Sequence, residues 1–208
     1  GEIDGRDGLN FKRALAASQR PHSLVSTGRM DEQTWAALMN RAGGAPPLVS
    51  YVIVARDVAG PFAGEIPRDL MQQAKLETLN FTSPLELLAE KFHASPQLLQ
   101  TLNPAATFDR VGDRLFVPNV MAIDPLAPPP GALAQATIVV SKATNVLAVT
   151  DATGQVLFHA PVTTGSTRDP LPIGTWEVTG VHRNPPFHYN PDLFWDANPS
   201  HAKARIAP

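Results

Sequence analysis

The sequence predicts an α+β chain: a small helical unit, a strand–helix–helix–strand (βααβ) unit, and an incomplete, mainly antiparallel β unit. Three observations carry this. Apolar residues recur at helical spacing in two segments before residue 43 and in two more between residues 83 and 102. From Thr137 the dominant period changes to two. The 21 prolines among 208 residues, about twice the usual share, divide the chain into short elements and extended linkers.

The first unit is residues 1–43. Leu9 to Gln19 is predicted as a helix with Phe11, Ala14, Leu15 and Ser18 on one face. After a turn ending at Gly28, Asp31 is placed as the N-cap of a second helix. Met30 and Trp35 then occupy the two positions of a hydrophobic staple. Leu38 and Met39 continue the stripe, and Gly43-Gly44 stops it. On this reading Phe11 and Trp35 are core residues. So small a unit leans on its neighbours. The string Gly8-Leu9-Asn10-Phe11, Ala17-Ser18-Gln19, His22, Leu24, Gly28-Arg29-Met30-Asp31, Thr34-Trp35 and Leu38 resembles the small helical peptidoglycan-binding domain of many cell-wall enzymes. The resemblance implies attachment to the wall.

The second unit is residues 48–120. Tyr51-Val52-Ile53-Val54 is a β-rich run. Residues 57–80 hold a Pro-punctuated loop and a short helix near Asp69–Leu79. Ser83-Pro84-Leu85-Glu86 is a helix start, with Ser83 as cap, Pro84 at the first turn and Glu86 closing a capping box. Leu85, Leu88, Ala89 and Phe92 give its apolar face. Ser95-Pro96 starts another helix, with Leu98, Leu99 and Leu102 on its face, and Asn103-Pro104 ends it. Val111-Gly112-Asp113 turns into the strand Arg114–Pro118.

Tyr51–Val54, Leu88-Ala89-Glu90-Lys91-Phe92, Leu102-Asn103-Pro104 and Gly112–Pro118 resemble a LysM module, a fold that binds N-acetylglucosamine-containing glycans. The departure from that pattern is the insertion of about 25 residues before the first helix. The resemblance places the glycan groove at two loops, which makes Thr82, Ser83, Asn103 and Pro104 the candidate binding residues. The same residues are also ordinary capping and turn chemistry.

Residues 121–136, with Pro128-Pro129-Pro130, read as an extended linker. The third unit runs from residue 137 to 208. Thr137–Ser141, Val146–Thr150 and the stretch from Val156 to Val162 alternate as strands, with a hairpin turn at Asp151–Gly154. Trp176 and Val178 alternate with Thr175, Glu177 and Thr179 in a fourth. The reading is a β-meander with one buried face.

Ile138-Val139-Val140, Asn145–Val149, Gly154, Pro161-Val162-Thr163-Thr164-Gly165 and Pro170-Leu171-Pro172-Ile173-Gly174-Thr175-Trp176 resemble the start of the L,D-transpeptidase catalytic domain, also called the YkuD domain. Gly165 allows a sharp turn there. The resemblance implies peptidoglycan cross-linking by a cysteine in a Ser-His-Gly-Cys-x-Arg motif with an upstream histidine. A thiolate is a strong nucleophile once a histidine takes its proton, and backbone amides stabilise the oxyanion. No such motif occurs here, and it is expected after Pro208. Four strands leave a sheet edge open, so the fold is expected to be incomplete within these residues. His182 to Pro208 holds five prolines, and its Phe187, Tyr189 and Trp195 are the candidate substrate-cleft residues by the same resemblance.

Composition sets limits. The net charge of −2 with no Lys/Arg run argues against nucleic acid. With no cysteine, disulfides and thiolate metal sites are impossible here. No apolar stretch approaches the ~20 residues of a membrane span. No signal peptide is visible and the chain begins at Gly1, so a processed start is expected for a periplasmic or envelope protein. His182, His188 and His201 lie near Asp192 and Asp196 without a known ligand spacing, so no metal is assigned, and no cofactor is expected. Ser166-Thr167-Arg168-Asp169 reads as a polar loop. Two functions stand: an L,D-transpeptidase whose thiol lies outside these residues, and a non-catalytic peptidoglycan-binding protein. Peptidoglycan is the expected partner in both.

Overall fold

The structure is a computed structural model that describes residues 2–120, 136–182 and 184–208; residues 121–135 of the predicted linker lie outside them. The fold is mixed α+β. In chain order the elements are α1 (Leu9–Gln19), α2 (Glu32–Ala42), β1 (Leu48–Val52), α3 (Ala55–Val58), α4 (Leu70–Gln73), α5 (Pro84–Lys91), α6 (Pro96–Leu102), β2 (Arg114–Pro118), β3 (Thr137–Ser141), β4 (Val146–Thr150), β5 (Val156–Pro161), β6 (Phe187–Tyr189) and β7 (Ala204–Ile206). They form two compact units, Gly1–Val49 with Pro118–Leu171, and Ser50–Val117 with Pro172–Pro208.

In the first unit Asp31 caps α2 as expected, accepting from the Thr34 amide at 2.7 Å. The staple does not bury its residues. Phe11, Met30 and Trp35 are 43, 44 and 56% exposed. The interior is made instead by Leu15, Gln19 and Thr34. Gln19 donates to the Thr34 hydroxyl at 2.9 Å and to the Arg29 carbonyl at 3.0 Å, and accepts from the Gly28 amide at 2.9 Å. Two short helices enclose too little volume for two large rings, and a fully bonded amide closes the gap between them. Gly28 is required there. Its φ is +65°, and a Cβ would stand 2.7 Å from the Lys12 carbonyl oxygen.

The three strands of the meander have the expected order, β3–β4–β5, with Ile138 opposite Val149 and Leu147 opposite Ala160. Asp151 holds the hairpin turn, accepting from the amides of Thr153 and Gln155 at 2.8 and 2.9 Å. The expected buried face is absent among the described residues. Neighbours on opposite faces of β3, Ile138 and Val139, are 55 and 51% exposed, and Phe158 of β5 is 55% exposed. A sheet buries a face only against a second layer. Here α1 packs along β5, where burial, followed by the charge of Arg20, holds the His159 imidazole below its usual range. After β5, Asn145 and Thr164 bond side chain to side chain. Gly165 then turns with φ +78°, where a Cβ would fall 2.0 Å from the Asp169 carbonyl oxygen.

In the second unit β1 pairs with β2. The core is Ile53, Leu88, Leu99, Leu115 and Val117, each at most 1% exposed. Ser83 and Ser95 cap α5 and α6 through the amides of Glu86 and Leu98. Glu86 reaches one residue beyond the expected capping box, accepting from the amide of Thr82 at 2.6 Å and from its hydroxyl. The helix expected at Asp69–Leu79 is only Leu70–Gln73; the amides of Lys75 and Leu76 donate three residues back in tight turns, and the Leu79 amide donates to the Pro208 carbonyl. The expected fourth strand is also absent. Residues 172–182 form no ladder, and Trp176 and Val178 are 72 and 75% exposed. Alternation fits a residue to a sheet but supplies no neighbouring strand.

Asp57, 2% exposed, joins α3 to α5. It accepts from the Lys91 ammonium at 2.8 Å, the Tyr51 hydroxyl at 2.5 Å and the Val54 amide at 3.0 Å. Lys91 also lies 4.4 Å from the centre of the Tyr51 ring. Burial alone would raise the Asp57 carboxyl. The three donors outweigh it and hold the group below its ordinary value of 3.8. A depressed carboxyl stabilises the fold above its unfolded pKa, and that stabilisation fades as pH falls through the folded value. The urea midpoint is therefore expected to fall below about pH 4. Asp57→Asn is expected to cost roughly 1–3 kcal/mol at neutral pH and to flatten that acid limb in urea titrations.

Candidate functional site

The most structured part of the predicted cleft segment is a two-stranded ribbon. In β6 and β7, Phe187 lies opposite Ile206, His188 opposite Arg205 and Tyr189 opposite Ala204. The period of two puts Phe187 and Tyr189 on one face and His188 on the other. Two side-chain caps shape the connection. Asn190 accepts from the Asp192 amide at 3.2 Å, across the turn Pro191–Leu193. Asn198 accepts from the Ser200 amide at 3.0 Å. These turns return Phe194 and His201 to Tyr189. Its ring centre lies 5.6 Å from that of Phe194 and 5.8 Å from that of His201.

Tyr189 is 3% exposed, and its hydroxyl lies 3.0 Å from Nδ1 of His201. Nε2 of the same imidazole lies 3.1 Å from Oδ2 of Asp69. The other oxygen of Asp69 caps α4, accepting from the Gln72 amide at 2.9 Å. That amide, followed by the imidazole, outweighs desolvation and keeps the Asp69 carboxyl below its usual range. An ionised carboxylate only accepts, so a neutral His201 carries its proton on Nε2 and leaves Nδ1 to accept the Tyr189 O–H.

This chain of three side chains borders a cleft of about 480 Å³. Arg68, Asp69 and Leu70 line one part of it, Tyr189, Phe194 and His201 another, and Asp196 and Asn198 add polar groups. The site offers charge of both signs above an aromatic surface. No Ser, Thr or Cys is among its described lining residues, and both nitrogens of His201 are engaged.

The predicted cleft residues divide. Tyr189 is at the centre of the site. Phe187 touches the aromatic cluster 6.4 Å from Tyr189 and Phe194 and is 45% exposed. Trp195 is 60% exposed and is not among the residues that line the cleft. Of the glycan candidates, Thr82 and Ser83 bond to Glu86, as described above. Pro104 is exposed. Asn103 is 8% exposed and committed to the fold. It donates to the carbonyls of Leu99 and Phe116 at 2.9 and 2.8 Å and accepts from the Phe116 amide at 2.7 Å.

Asp69 is the member of the site that sequence reasoning missed. It was legible as the start of a short helix, but its partner stands 132 residues away, and no local pattern reports that. His201 was weighed only in a metal context. Asp192 instead pairs with Lys203 at 3.7 Å.

Asn103→Ala is expected to lower the stability of the second unit by about 1–3 kcal/mol, since it leaves both polar groups of Phe116 without that partner. Urea unfolding followed by tryptophan-independent circular dichroism measures it.

Residues 135–207 match the family described as the L,D-transpeptidase catalytic domain, and residues 1–38 match the family described as a putative peptidoglycan binding domain. No curated protein matches the chain.

Proposed function

We infer that this chain, in which an L,D-transpeptidase catalytic-domain segment follows a peptidoglycan-binding-type domain, acts at the cell envelope, in the periplasm, as part of a peptidoglycan L,D-transpeptidase. The supporting observation is the occurrence of both matches in one chain, each pointing to the same polymer. The 208 residues contain no cysteine, so the acyl transfer uses a thiolate supplied by sequence outside them. In that reaction the thiolate attacks a stem-peptide carbonyl, the C–N bond breaks, and the departing amine takes a proton from the histidine. An amine of a second stem peptide then attacks the thioester and releases the thiol.

The present residues supply holding and orientation. Residues 1–43 bind the wall. Residues 48–120 act as a LysM-like glycan module, with Thr82, Ser83 and Pro104 at its binding loops and Asn103 bracing the second of them. Residues 121–136 are a linker, and 137–208 contribute Phe187, Tyr189 and Trp195 to the substrate cleft. Tethering raises the effective concentration of the reacting groups on an insoluble polymer. The lack of a cysteine equally favours a second reading, a non-catalytic peptidoglycan-binding protein.

Two measurements separate these. The full gene product, incubated with purified sacculi, is expected to generate new L,D cross-links detectable by mass spectrometry of the digested wall. No new cross-links and no cysteine encoded after Pro208 would leave only the binding reading. The 208-residue chain is expected to co-sediment with sacculi; a chain that stays in the supernatant removes wall binding from both readings.

A further inference from the structure

Asp69 lies outside the segment that matches the transpeptidase domain, which begins at residue 135. It nevertheless makes a direct bond to a side chain within that segment, Nε2 of His201. The contact is reinforced nearby. The Leu79 amide and the Thr78 hydroxyl both donate to the Pro208 carbonyl, at 3.1 and 3.2 Å, and α4 packs against β7. The insertion that precedes Ser83 is thus fastened along the strand that closes the β6–β7 ribbon.

We propose that Asp69 is a positioning residue of the aromatic cleft: through His201 it fixes the tautomer of the imidazole and thereby the direction of the Tyr189 hydroxyl bond. The inference rests on the reading of this segment as a substrate cleft and adds a member to it from the LysM-like unit. The argument is one of proton capacity. The Asp69 carboxylate cannot donate, so it demands the proton of His201 on Nε2. Nδ1 is then an acceptor, and the Tyr189 O–H is consumed in donating to it. A ligand that meets Tyr189 in the cleft therefore finds an acceptor oxygen. The carboxylate of Asp196 in the same lining is a second acceptor. At Tyr189 and Asp196 the cleft is matched to N–H donors, such as amide or ammonium groups, while Arg68 in the same lining can meet an acceptor.

Asp69→Asn tests this with little disturbance of the fold. Asparagine is an N-cap as good as aspartate. Its carbonyl oxygen is held by the Gln72 amide, which places its NH₂ where Oδ2 now faces His201. The amide then donates to Nε2, and the proton of the neutral imidazole moves to Nδ1. The measurement is a long-range ¹H–¹⁵N spectrum of the ¹⁵N-histidine-labelled chain at about pH 8, where an ordinary imidazole is neutral. The expected result is an Nε2–H pattern for His201 in the wild type and in Tyr189→Phe, and an Nδ1–H pattern in Asp69→Asn. An Nδ1–H wild type, or the same tautomer in wild type and Asp69→Asn, overturns the proposal. Should Asp69→Asn fail to fold, Asp69→Ala is read in the same way: loss of the Nε2–H preference supports the proposal and its retention overturns it. No substrate enters this measurement, so its outcome is independent of the cross-linking assay that tests the transpeptidase reading.

Discussion

The bond between His201 and Asp69 is the contact on which the organisation of the second unit turns. Without it the connection from Asn190 to Lys203 would be held by its own Asx turns and by the packing of Phe194 against Tyr189 and Phe187. With it, a segment matching a catalytic domain and an insertion far upstream share one hydrogen-bonded chain, Tyr189–His201–Asp69. Each link has one satisfactory proton arrangement because the terminal carboxylate can only accept. Such a chain orders side chains more tightly than ring packing alone, since packing tolerates sliding and a fully matched donor–acceptor series does not.

A related economy runs through both units. The helical unit closes on Gln19, Asn103 braces α6 against β2 in the second unit, and α3 is held to α5 by Asp57. Each is a buried polar side chain whose partners named above lie inside the same unit, and among the described residues no buried side-chain nitrogen or oxygen is left without a partner. Small units have too little apolar volume to fix their geometry by packing. A satisfied polar pin costs about as much to desolvate as it returns, yet it selects one arrangement, because any other leaves the group unpaired.

The sequence revealed what is local. Asp31, Ser83 and Ser95 were legible as caps because an N-cap is defined by a side chain and an amide two or three residues apart. The three strands from Thr137 to Pro161 were legible by alternation and by the turn at Asp151–Gly154. The failures share a cause as well. Trp35 and Phe11 have the spacing of core residues, but spacing reports which face a side chain takes and not whether anything covers that face. Trp176 and Val178 alternate correctly yet make no ladder, since a strand exists only when another strand accepts its amides. In the candidate site Tyr189 was chosen for its aromatic character, which is a property of the residue. Asp69 could not be chosen, because its role is a property of a pairing across the fold.

The sheet β3–β4–β5, met by α1 along β5, gives these failures one physical reading. Apolar residues of β3 and β5 are exposed on both faces while those of β4 are half-buried, although a sheet of this composition gains stability only by burying at least one face. The ribbon β6–β7 differs: Tyr189 and Ile206 are 3 and 1% exposed, because the aromatic connection folds back over them and the insertion closes against β7. Burial in the transpeptidase-like segment therefore follows the availability of a second layer and not strand propensity. Val139 and Val140 have more intrinsic preference for a strand than His188 has, and yet it is the short ribbon holding His188 that is packed. The cleft lies where polar bonds and aromatic packing fix the same few residues from two directions.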